Sequence, residues 1–167
     1  MIFKNTSVNS GNGWGSFNSG TEFNNANGCI LLQTNSLPTS VANGFKWNVG
    51  GQIVIEPVGT SFGSAVDFNS NNIWGTNVPS GFRIGKDGNT ANVTISGAVT
   101  TVGTIEAYGG TVTASANLTV NTSTSAAILL KGTQDVLVGA GTNTTTRRTL
   151  QTNGCLLYTS PSPRDCS

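Results

Sequence analysis

Apolar couples at i and i+2 recur through the second half of the chain. Val93/Ile95, Ile105/Ala107 and Val112/Ala114 are answered, in the same order, by Leu118/Val120, Ile128/Leu130 and Val136/Val138. Residues two apart in a strand leave the same face, so each couple marks a short strand with one buried side. The answering couples follow after 25, 23 and 24 residues, with Gly, Ser, Thr and Asn filling the intervals. This pattern predicts an all-β chain folded as a right-handed parallel β-helix (β-solenoid), with about 24 residues and three short strands per coil, each coil covering the apolar interior of the next.

Upstream, Gln52–Glu56, Ala65–Phe68 and Gly81–Gly85 read as the strands of a longer, less regular coil. Its excess length is assigned to a loop from Asn69 to Ser80 that carries Trp74, and Lys86–Asn89 turns the chain into the first regular coil. Thr149–Thr152 reads as the opening strand of a further coil. Residues 1–50 are least regular, with turn-forming Asn-Gly steps at 12–13, 27–28 and 43–44. The division is therefore 1–50 as irregular Asn/Gly-rich coils or a cap, 51–154 as β-helix repeats, and 155–167 as a tail. No helix is expected, because no window sustains a 3.6-residue apolar period.

The tail is set apart by its wording. Cys155-Leu-Leu-Tyr-Thr-Ser-Pro-Ser-Pro-Arg-Asp165 resembles the in-frame translation of a sequencing-library adapter. On that reading residues 155–167 are artefactual and contribute no strand, the natural protein continues past Gly154, and Met1 is open to being an internal methionine. Only Cys29 then remains of three cysteines, too few for a disulfide framework or a Cys-x-x-Cys metal site, and it is expected as a small buried apolar residue beside Ile30-Leu31-Leu32.

Composition narrows the function classes. Gly, Asn, Ser and Thr make up about half the chain, charged residues are 9%, and the net charge is +1. A solenoid accommodates this mixture, since each coil needs few inward apolar side chains. So small a charge points to neither nucleic acid nor an anionic membrane as partner. The sequence contains no apolar run long enough to span a bilayer. It also contains no histidine, which removes Ser-His-Asp and Cys-His mechanisms and most zinc sites.

Glycoside cleavage requires two carboxylates across one bond, whereas Glu22, Glu56, Asp67, Asp87, Glu106 and Asp135 are singletons in sequence. Glu106 and Asp135 are each expected to point outward, on different faces. Gly81–Lys86 has the wrong glycine spacing for a phosphate-binding loop, and Asp87-Gly88-Asn89 lacks the further acids of a calcium loop. Asn-x-Ser/Thr sequons at Asn5, Asn92, Asn117, Asn121 and Asn143 are expected by chance at this composition. No catalytic residue, cofactor or metal is assigned. The candidate carbohydrate contacts are Trp14, Trp47 and Trp74, set among Asn, Gly and Ser; the competing role for these rings is to plug the solenoid end.

The phrases Gly81–Ile95, Gly103–Thr113, Ala127–Gly132 and Leu150–Gly154 resemble repeats of filamentous-haemagglutinin-like, β-strand-repeat adhesins of bacterial surfaces. The resemblance covers roughly residues 81–154 and implies a secreted, cell-surface β-helical stalk, commonly adhesive, with no catalytic residues to carry over. Glycans or other surface proteins are the implied partners. A carbohydrate-binding or polysaccharide-cleaving β-helix is the alternative. A binder should gather acids or tryptophans on one face; a stalk should carry uniform Thr/Asn/Ser ladders.

Overall fold

The computed structural model describes residues 2–4, 22–37, 45–70, 72–121, 128–139, 150–151 and 156–159. Every described element is a strand, and every pairing is parallel. The strands are β1 (Ile2–Lys4), β2 (Glu22–Asn25), β3 (Ile30–Gln33), β4 (Phe45–Val49), β5 (Gln52–Glu56), β6 (Val66–Phe68), β7 (Asn72–Trp74) and β8 (Gly81–Ile84). They continue with β9 (Val93–Ile95), β10 (Val99–Thr101), β11 (Ile105–Ala114), β12 (Leu118–Val120), β13 (Ile128–Val138), β14 (Leu150–Gln151) and β15 (Leu156–Thr159).

One sheet runs β1-β3-β5-β8-β11-β13-β15, with β6 and β9 continuing its second limb into β11; the shorter sheets are β2-β4-β7 and β10-β12-β14. The chain is thus a parallel β-solenoid. Phe82 aligns with Ile105 and Ile105 with Ile128, a rise of one coil per 23 residues. The preceding coil is longer, since Ile53 aligns with Phe82. Residues 22–37 and 45–49 belong to the same stack, because β3 pairs in register with β5 and β4 with β7.

Alternation builds the interior. Ile53, Phe82, Ile105 and Ile128 form one inward column, and Ile55, Ile84, Ala107 and Leu130 the next, all fully buried. Val66, Val93 and Val112 form a third column, and Phe68, Ile95 and Ala114 a fourth. Each fully buried aliphatic or aromatic side chain contributes about 1.5–3 kcal/mol of transfer free energy. Few per coil are needed because every one is covered from above and below. Phe23, Trp47, Phe68, Trp74 and Phe82 pack as a run of tilted rings with centroids 4.8–6.3 Å apart, filling the wider coils.

Several expectations from the sequence are corrected by the register. Val93/Ile95 stacks on Val112/Ala114, and Leu118/Val120 stacks on Val99/Thr101. The strand β10 escaped the apolar-couple pattern because its second inward residue is Thr101, wholly buried with its Oγ1 donating to the Gly103 carbonyl at 2.6 Å. Thr34 does the same toward Ser36. A hydroxyl that satisfies itself locally can occupy an apolar column. Two of the three strands merge in the regular coils: β11 and β13 run through Gly109-Gly110 and Gly132, where β13 carries an extra residue and the register shifts.

The segment from Asn69 to Ser80 is not all loop, since Asn72–Trp74 forms β7 on β4. Cys29 is exposed, because Ile30 and Leu32 take the inward parity; its sulfur accepts the Gln52 N–H. Val136 is only half-buried and Val138 is exposed, although both keep the predicted register. The tail does contribute a strand: Leu156–Thr159 pairs with Ile128–Lys131. An open parallel edge accepts a short apolar segment such as Leu-Leu-Tyr-Thr whatever that segment's origin.

Candidate functional site

Inward parity at Phe82 and Ile84 sends Arg83 outward, and the same rule sends Glu56 out beside Ile55 and Glu106 out between Ile105 and Ala107. Register then brings together residues far apart in sequence. Arg83 lies opposite Glu106 on β11, while its Nη2 reaches diagonally to Oε2 of Glu56 at 2.6 Å. The other Glu56 oxygen accepts from Gln33 Nε2 at 2.9 Å. This carboxylate is sunk into the face, with 13% of its side chain exposed.

Two residues along β11, the Tyr108 hydroxyl donates to Glu106 Oε2 at 3.0 Å. Burial, and then the hydrogen bond to Glu106 and its negative charge, push the Tyr108 phenol up to about 12. Tyr108 aligns with Lys131, whose Nζ donates to Asp87 at 2.7 Å and holds that carboxyl below its ordinary range. Lys86 donates to the Pro57 carbonyl. Glu56, Arg83, Glu106 and Lys131 therefore share the outer face of one limb of the long sheet, with Lys86 and Asp87 in the turn beside it.

A buried amide anchors this face from behind. Asn89, 1% exposed, accepts at Oδ1 from Ser61 Oγ and from the Phe62 and Ala91 N–H groups, and donates from Nδ2 to the Tyr108 carbonyl at 2.8 Å. The turn that delivers it requires left-handed backbone at Gly85 (φ 79°) and Gly88 (φ 83°). An added Cβ at Gly85 would also run into the Tyr108 carbonyl.

The other outer surfaces differ. On the second limb, Thr94 aligns with Asp67 and Thr113, and Asp67 accepts from Ser96 at 2.7 Å. On the third, Thr100 and Thr119 align. Asn48 donates to Asn24 and accepts from Thr76 and Asn77. These are hydroxyl and amide ladders with little charge.

The tryptophans do not converge on an outer face. Trp47 is 3% exposed in the aromatic interior, its indole N–H donating to Asn72 Oδ1, which leaves no ring face for a sugar. Trp74 is half-buried against Phe68 and Phe82, its N–H donating to the Ala98 carbonyl. Trp14 lies outside the described residues. Glu106 and Asp135 stand on different limbs, because Asp135 aligns with Thr111. Sequence reading missed the Glu56, Arg83 and Glu106 row because it treated the acids as singletons; the 23-residue coil period carries Arg83 to Glu106, but Glu56 joins the row across a longer coil, 27 residues from Arg83. Among the described residues no group of three or more Cys, Asp or Glu is placed to hold a metal ion.

Comparison with protein-family models, curated proteins and solved structures gave no match.

Proposed function

We propose that the chain is part of a secreted bacterial surface adhesin and serves there as a structural β-helical stalk without catalysis. The observation that supports this most is the parallel ladder of six strands, β1-β3-β5-β8-β11-β13, in which one coil covers the interior of its neighbour. An architecture whose stability is a sum of neighbour contacts lengthens without redesign, which is what a stalk needs. The Thr and Asn ladders on most faces fit a surface meant to stay solvated. No described helix is long and apolar enough to cross a membrane. Glycans and other surface proteins are the proposed partners, with no role for nucleic acid.

Sequencing the gene and its flanks from source DNA tests the reading. Further repeats at the 23-residue spacing, together with a secretion signal, are expected. A gene lacking both would reject the stalk.

A further inference from the structure

The row formed by Gln33, Glu56, Arg83, Glu106 and Tyr108 has a composition that solvated stalk faces do not need. Charged residues are 9% of the chain, yet Glu56, Arg83, Glu106 and Lys131 stand on one limb, with Lys86 and Asp87 in the turn beside it. Holding a carboxylate such as Glu56 partly out of water costs free energy that a threonine would not. The fold also leaves hydrogen-bonding capacity unfilled, since the Arg83 Nε is buried without a partner.

We propose that this row binds an uncharged glycan laid across the strands, parallel to the solenoid axis. Three negative and three positive side chains balance, so neither a polyanion nor a polycation is favoured. What the face offers is alternating donors and acceptors: the Arg83 guanidinium, the Tyr108 hydroxyl, and the Glu56 and Glu106 carboxylates. Sugar hydroxyls, each both donor and acceptor, match that alternation. Charge-assisted hydrogen bonds are about twice as strong as neutral ones, which lets a few of them hold a hydroxyl. Tyr108, fixed at its backbone by buried Asn89, supplies an apolar ring beside the polar groups. Successive strands stand about 4.8 Å apart, so a linear chain crossing them meets the row repeatedly.

The full chain would be applied to an array of neutral oligosaccharides of glucose, galactose, mannose, xylose and N-acetylglucosamine, with heparin and polylysine as charged probes. Binding to at least one neutral glycan is expected. It should weaken at least tenfold in Glu106→Gln, Arg83→Gln and Tyr108→Ala and stay unchanged in Thr94→Ala/Thr113→Ala on the neighbouring limb. Thermal melting checks that each variant is folded; if Arg83→Gln is not, the near-isosteric Glu106→Gln decides. Absence of binding to every neutral glycan, binding to heparin or polylysine alone, or equal binding by all variants overturns the proposal. None of these results touches the stalk reading, which the gene sequence tests separately.

Discussion

At the scale of single residues, Asn89 does more than its place in a Lys-Asp-Gly-Asn turn suggests. It ties Ser61 and Phe62 of one coil to Tyr108 of another from a buried position. Asn89→Ala takes this partner from the Phe62 N–H and the Tyr108 carbonyl, and a loss of about 2–3 kcal/mol in urea unfolding is expected. Asn121→Ala, exposed, should change stability by less than about 0.5 kcal/mol; equal losses at both sites would refute the anchoring role. Tyr108 gives a second residue-scale expectation. Its phenol is raised in the folded state from 10.0 to about 12, so the unfolded chain gives up this proton first as pH rises. The contribution is intact below pH 10 and is lost on going up through pH 12. Melting temperatures should therefore fall more steeply over that window in the parent than in Tyr108→Phe. Parallel curves would show that the phenol is not held in its neutral form.

At the scale of elements, the strands are defined by alternation and their neighbours by coil length. Leu130 stands in a fully buried column of β13, whereas Thr119 on β12 faces outward. Leu130→Asp buries a charge with no partner and should cost about 3–5 kcal/mol or prevent folding, while Thr119→Asp should cost less than about 1 kcal/mol. Similar denaturation midpoints for the two would reject the register. The couples of β11, β12 and β13 were legible in the sequence because their inward residues are aliphatic. The pairing of β9 with β11 was not, because Thr101 hides β10 from an apolar pattern and a coil can be shortened at any glycine corner.

At the scale of the molecule, no described strand pairs with the outer edge of the second limb of β13. β15 pairs with β13 only along Ile128–Lys131, and beyond it Leu137 and Val138 are 47% and 43% exposed. An apolar strand edge recruits further strands. The chain is accordingly expected to self-associate end to end, and Val136→Lys/Val138→Lys to shift it toward monomer without altering the earlier coils. Sedimentation of both forms at matched concentrations is the measurement. A parent chain that stays monomeric at high concentration argues that this edge recruits nothing.

The sequence by itself determined the class of this molecule. Alternating apolar couples repeated at a near-constant interval have one economical solution, a stack of parallel coils, because each couple must be covered by its equivalent in the next turn. It also determined which way Glu106 points, since parity with Ile105 and Ala107 leaves no choice. What only the tertiary structure decided is which couples meet and which outward residues become neighbours. Glu56 and Arg83 are 27 residues apart and join because the coil between them is longer than the next. Trp47 lies inside rather than outside because wide coils need rings to fill them. Parity is local and can be read along the chain; register depends on corner lengths set by glycines, self-bonded threonines and bulges, and those are settled only when the coils stack.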